Sequence, residues 1–182
     1  MNLWLRVLHL IIASVFRPKL DPVRDVSRLR FRVWPHDLDT SLHMNNGRYW
    51  TLMDLGRTDI MIRSGLWRVI LRHKWLPVVS AGQIRFRREM RLFRPFALET
   101  RILTWSEGQV VMEHRLVSEG WDGSPILNAI ALVRVGLYDR GEKTFIPMGR
   151  LLDEIGLQAE APEAAPEVEA FLRAEETLKK AA

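Results

Sequence analysis

Residues 36–49 read HDLDTSLHMNNGRY, and the reading of this stretch decides how the rest of the chain is organised. Two acids, two histidines and two adjacent asparagines precede a helical pattern that runs from Asn46 to Ser64. In it, Tyr49, Leu52, Met53, Gly56 and Ile60 share one face. A helix over 46–64 is expected to be about 28 Å long, with Gly65 as its stop. Trp50, Leu55, Met61 and Ile62 lie outside that face, so the helix asks for burial on several sides.

Working outward, LRFRVW (29–34) alternates apolar and basic residues, as a half-buried strand does. LWRVILRHKW (66–75) reads as a shorter helix. After Pro77 the period changes to two. VSAGQIRFRREMRLF (79–93), FALETRILTWSE (96–107) and QVVMEHRLVSE (109–119) read as strands, with a hairpin-like turn at Glu107-Gly108. WDGSP (121–125) is another turn, ILNAIALVRVGLY (126–138) a long buried strand, DRGEK (139–143) a turn, and TFIPM (144–148) a brief return. GRLLDEIGL (149–157) is a short helix. One strand, one long helix and then consecutive hairpin strands make an α+β fold. In it a strongly twisted antiparallel sheet wraps around the long central helix. The expected organisation is an apolar N-terminal helix over 1–20, one domain over 21–157, and an Ala/Pro/Glu linker with a C-terminal helix over 158–182.

There is no cysteine, which excludes disulfides, cysteine-based zinc sites and cysteine nucleophiles. It also fits a reducing cytosol. The formal charge is +5, unevenly placed: residues 151–182 hold eight acids and three bases, leaving 14 acids and 24 bases to residues 1–150. A basic body suits nucleic acid, an anionic membrane, or a phosphate-bearing small molecule such as coenzyme A. Nucleic acid is the weakest of these, because the bases alternate with core residues rather than with stacking aromatics.

In MNLWLRVLHLIIASVFRPKL (1–20), Arg6, His9, Ala13 and Arg17 form one narrow polar stripe. Leu3, Trp4, Val7, Leu8, Ile11, Ile12 and Val15 cover the rest of the helix surface. The stretch is too short to span the ~30 Å hydrocarbon core, and it lacks the charged start and cleavage site of a secretory signal. Two readings remain. The helix lies peripherally in a membrane interface through residues 1–17, with Trp4, Arg17 and Lys19 at headgroup level, or it docks on the protein body.

If 37–44 is extended, Asp37, Asp39, Ser41 and His43 face one side. In a purely structural reading Asn45 or Asn46 caps the helix and Asp39 favours its positive end. In a chemical reading a carboxylate there acts as base or nucleophile, and the free N–H groups stabilise an oxyanion. That pairing suits acyl transfer. No G-x-S-x-G elbow is present to suggest a serine hydrolase.

The string DLDTSLHMNNGRY, the DLGR of the long helix and FRREMRLFRPFALETRILTW together resemble the hotdog-fold thioesterases. The closest likeness is to the 4-hydroxybenzoyl-CoA thioesterase superfamily, in the branch of thioesterase superfamily member six. The resemblance covers roughly residues 28–140. It implies an acyl-CoA or acyl-carrier thioester hydrolase with no metal or cofactor, working as a homodimer or dimer of dimers. It implies Asp39 as the catalytic aspartate, acting as base or nucleophile, His43 as its helper, and the Asn46 N–H as oxyanion donor. Ser41, Asn45 and Tyr49 are expected on the substrate side, and Arg85 and Arg87 suit coenzyme A phosphates, the alternative for the arginines being a solvated strand face or ion pairs. His43 matches the histidine of D-x-N-x-H-V-N-N, the pattern of the plant acyl-carrier-protein thioesterases, and Ser41 departs from its Asn. Asp54 and Arg57, where relatives have a helical Glu and Arg, read as a structural ion pair. The alternatives are a non-catalytic, membrane-associated acyl-binding protein, or a hydratase. The hydratase pattern D-x-N-P-x-H fits less well, since the Asp39–His43 spacing is one residue shorter and lacks Pro.

Overall fold

The central helix begins where its cap dictates. In the computed structural model, which describes residues 3–106 and 108–181, α2 spans Asn46–Arg63. Asn45 caps it, its side-chain oxygen accepting the Gly47 N–H at 2.8 Å. Gly65, at φ 86°, turns the chain out of α2 and into α3 (Leu66–His73). Tyr49, Leu52, Met53, Gly56 and Ile60 are all buried, and so is Leu55 on another side.

Six strands form one antiparallel sheet: β1 (Ser27–Arg32), β2 (Leu76–Phe86), β3 (Pro95–Ser106), β4 (Gln109–Glu119), β5 (Pro125–Asp139) and the short β6 (Thr144–Phe145). The order is β1-β3-β4-β5-β2, with β6 paired to the end of β5. The sheet curls around α2. Leu52, Met53 and Leu55 meet Leu98, Leu116, Ala129 and Val133 on its inner face. The helix comes closest at Gly56, where a Cβ would lie 2.1 Å from the Thr100 hydroxyl oxygen, so glycine is required there. A second core joins the end of α2 and α3 to α4 (Met148–Glu154) through Ile60, Ile70, Leu137 and Leu152. The Glu107 half of the expected Glu107-Gly108 turn lies outside the described residues.

The C-terminal stretch is packed on the sheet. Helix α5 (Pro166–Ala181) lays Val168 and Phe171 on the outer face against Val111. Each such burial contributes about 1.5–3 kcal/mol. The linker before it is tied down by the Thr104 hydroxyl, which donates to the Pro162 carbonyl at 2.7 Å.

Helix α1 (Leu3–Phe16) docks with its polar stripe inward. Arg6 reaches Asp37 at 2.5 Å. Arg17, expected at headgroup level, instead pairs with the fully buried Asp59 of α2 at 2.7 Å and donates to the Arg28 carbonyl. Burying these guanidiniums requires the carboxylates, and both lie on the body. The apolar side therefore faces out, with Trp4 77% and Phe16 84% exposed and Leu8, Ile11 and Ile12 beside them. His9 is exposed on this outer side and so leaves the stripe. The side chains of Leu3 and Val15, counted in the apolar face, lie outside what the structure describes.

Candidate active site

Residues 39–43 form a tight turn and are not extended. The Asp39 N–H donates to the His43 carbonyl at 3.0 Å, and the Leu42 N–H donates to the Asp39 carbonyl at 3.1 Å. The Asp39 carboxylate accepts the Ser41 N–H at 2.9 Å, so Ser41 contributes its backbone there and its residue is exposed. Leu42 closes the turn at φ 60°, an unfavourable conformation for a branched side chain. The turn separates the two acids that an extended segment would align. Asp37 goes into the core and Asp39 stays near the surface, its side chain about a quarter exposed.

His43 Nδ1 lies 3.4 Å from the second Asp39 oxygen. The loop is clamped by the Met44 N–H donating to the Met90 carbonyl at 2.8 Å and by a bridge between His43 and Arg91. Asn45 and Asn46 stand exposed at the start of α2. The Gly47 N–H is taken by the cap, and the Asn46 N–H makes no hydrogen bond among the described residues. Tyr49 is buried one turn on, edge-to-face with Phe86 at 5.0 Å. Burial, and then the nearby Asp39 charge, push its phenol up to about 12, so it stays protonated.

Two clefts lie along the 87–94 segment, to which the turn is bridged at Arg91. One, of about 460 Å³, lies between Leu38, Leu42 and His43 and the 89–92 segment. The other, of about 620 Å³, is lined by Arg87, Arg88, Arg91 and Arg94 with Asn128 at its base. Asn128 sits at a bulge between β4 and β5, and its carbonyl accepts the N–H groups of Arg87 and Arg88 at 2.8 and 3.1 Å. The arginine segment is thereby fixed beside the Asp39 turn. Arg85 is elsewhere. Strand alternation puts it on the face opposite Ile84 and Phe86, and it is not among the residues lining this cleft.

Asp54 and Arg57 do not join Asp39. They lie eight or more residues into α2, about 12 Å or more from its start. Arg57 binds Asp54 and places Nη1 3.1 Å from His114 Nε2. A guanidinium only donates, so that His114 nitrogen accepts, and Nδ1–H donates to the Thr100 hydroxyl at 2.9 Å. Burial, reinforced by the Arg57 charge, holds His114 well below the usual histidine range and neutral. Burial also lowers Arg57, against the pull of Asp54. Sequence reasoning missed Asp59, His114 and the inward role of Asp37. Asp59 has one near partner, Arg63 four residues on, and Asp37 accepts the Trp34 N–H, but the partners that set their inward roles, like those of His114, lie 14 to 57 residues away. Among the described residues, no group of three or more acids and histidines is placed to hold a metal.

The model of the thioesterase-like superfamily matches residues 33–174. The curated protein THEM6 of Danio rerio is 39% identical over 116 residues, 62% of this chain and 56% of its own length. THEM6 of Xenopus laevis is 38% identical over 86 residues, 47% of this chain and 42% of its own length. The chain thus spans about half the length of these curated relatives. Among solved structures, 4-hydroxybenzoyl CoA thioesterase from Pseudomonas sp. strain CBS-3 superposes with a TM-score of 0.63 at 18% identity. The match covers 71% of this chain and 98% of that one. YbaW, a probable thioesterase from Escherichia coli, matches with a TM-score of 0.63 at 20% identity, over 71% of this chain and 96% of that one. With a curled antiparallel sheet around one long helix and a family match over most of its length, this chain belongs to the thioesterase-like superfamily and has the hotdog fold.

Proposed function

We propose that the chain hydrolyses acyl thioesters, with coenzyme A or an acyl carrier as the leaving group and Asp39 as the reacting acid. The observation that carries this reading is the placement of Asp39. Its carboxylate is fixed by the Ser41 N–H, has His43 3.4 Å away, and stands beside the start of α2. Asp39 takes a proton from water as the water oxygen attacks the thioester carbonyl; direct attack by the carboxylate is the other route. The Asn46 N–H and the helix dipole stabilise the tetrahedral oxyanion. When the intermediate collapses, the C–S bond breaks and the thiolate takes a proton back from Asp39, with His43 orienting the carboxylate or supplying the proton. Exposed Arg87 and Arg88 suit phosphate groups of the carrier.

The surroundings suggest two further associations. The outer edge of β2 pairs with no strand among the described residues, and a second copy pairing there would form a dimer. No described helix is long and apolar enough to cross a membrane, but the outward apolar side of α1 suits peripheral contact with one.

The test is thiol release from a panel of acyl-CoA thioesters by wild type and Asp39→Asn. A loss of about a hundredfold or more supports the assignment. Equal rates in both would remove Asp39 from the mechanism. No release by either, with retained acyl-CoA binding, would favour a non-catalytic acyl-binding protein.

A further inference from the structure

We infer that Trp50, seated on Gly82 between the Asp39 end of α2 and an apolar cavity beside the later turns of that helix, sets the length of acyl chain this site accepts. The inference rests on the reading that acyl thioesters bind at Asp39.

The inner face of β2 gives the order of features alongside α2. Phe86 meets Tyr49 at the front, beside Asp39. Ile84 packs into the core, and Gly82 follows. A Cβ on Gly82 would lie 2.8 and 2.9 Å from two atoms of the Trp50 indole, so the ring rests on bare backbone. Beyond it the β2–β5 register slips between Val79 and Ala81. The extra residue there, Ser80, brings Val79 back to the inner side.

Val79 opens the rear cavity. This space of about 390 Å³ lies between the later turns of α2 and the sheet, walled by Ile60, Met61, Ile102, Met112 and Leu137. Its size suits a small-molecule site. Its lining side chains are apolar apart from Asp54, Arg57, Thr58 and the Trp67 indole N–H. Arg57 holds Asp54 and His114, and the Thr58 hydroxyl donates to the Asp54 carbonyl at 2.8 Å. A lining this largely apolar favours hydrocarbon over water. The near end of this cavity, at Asp54, lies eight residues along α2 from Asn46, about 12 Å. A thioester carbonyl held at the Asn46 N–H thus sends its alkyl tail toward Trp50. Short or compact acyl groups end in front of the indole, and longer chains enter the rear only when it swings aside.

Non-hydrolysable thioether analogues of butyryl-, octanoyl- and palmitoyl-CoA, titrated calorimetrically into the full chain, test this without relying on turnover. Trp50→Ala is expected to tighten palmitoyl binding relative to butyryl by about tenfold or more. Val79→Trp in that background should cancel the gain by filling the cavity. Trp50→Phe, a milder change, should move the ratio part of the way if the alanine variant folds poorly. An unchanged ratio in the Trp50 variants would overturn the inference. So would a Val79→Trp variant that alters oligomeric state while leaving the ratio alone, since the cavity would then be a subunit contact. Chain-length discrimination without hydrolysis would refute the proposed activity and support the role of Trp50. Asp39-dependent hydrolysis with an unchanged ratio would do the reverse.

Discussion

Arg6, in the N-terminal helix, holds Asp37 at 2.5 Å, and Asp37 lies two residues before Asp39 in the turn that carries it. Both partners are almost wholly buried. Asp37 also accepts the Trp34 N–H at 3.0 Å, and its carbonyl receives the Asn45 N–H at 2.8 Å. One residue, through its carboxylate and its carbonyl, therefore links α1, the Asp39 turn and the cap of α2. Removing one member of a buried pair leaves the other charge stranded, so Arg6→Ala should lower stability by about 3–5 kcal/mol. Arg28→Ala, which breaks the exposed pair with Glu99, should cost about 0–1 kcal/mol. Urea denaturation of the two variants checks the contrast.

The Leu42 backbone lies in the left-handed region, and its side chain is 73% exposed. A leucine there carries a penalty of about 1–2 kcal/mol that glycine avoids. Leu42→Gly should therefore raise the unfolding free energy by about 1 kcal/mol or less, the flexible unfolded chain offsetting part of the gain. A fall in denaturation midpoint would show that Leu42 packs better than its exposure suggests.

Gly56 faces Thr100 at the closest approach of helix and sheet. Alanine is the better helix former by about 1 kcal/mol, but its methyl group would overlap the Thr100 hydroxyl. Overpacking of this kind costs about 1–3 kcal/mol. Gly56→Ala should lower the melting temperature despite its helix propensity. A higher melting temperature would mean that α2 shifts freely on the sheet.

His114 stays neutral in the fold because burial and the Arg57 charge oppose its protonation. In the unfolded chain it takes up a proton below about pH 6.5. The unfolded state then binds more protons, so this contribution is complete above that pH and is lost as pH falls. Stability should decline between about pH 6.5 and 5, and His114→Gln should flatten that decline. An identical slope in the variant would assign the acid sensitivity to other groups.

The outward side of α1 leads to a separate expectation. The full chain should co-sediment with anionic vesicles at low salt, and Trp4→Ser with Phe16→Ser should keep it in the supernatant. Wild type remaining in the supernatant would refute membrane contact.

Much of the architecture was legible because it is set by near neighbours. The cap at Asn45, the period of α2, the glycine at position 65 and the strand alternation each depend on residues a few positions apart. The candidate acid was legible through a short contiguous string. The turn at 39–43 was not, because an alternating pattern of polar and apolar residues suits both a strand and the tight turn that the Ser41 N–H and Leu42 complete.

The sequence by itself determined that a long helix is enclosed by antiparallel strands and that Asp39 stands just before it, since periodicity and capping act over a single turn or strand. Only the tertiary structure decided which side of α1 faces the protein. Arg6 and Arg17 find their carboxylates 31 and 42 residues away, at positions that become neighbours only when the sheet has closed. It likewise brought Trp50 onto Gly82 and His114 under Arg57. A buried charge or a bare backbone acquires its partner from the packing of distant segments, and no local pattern records that pairing.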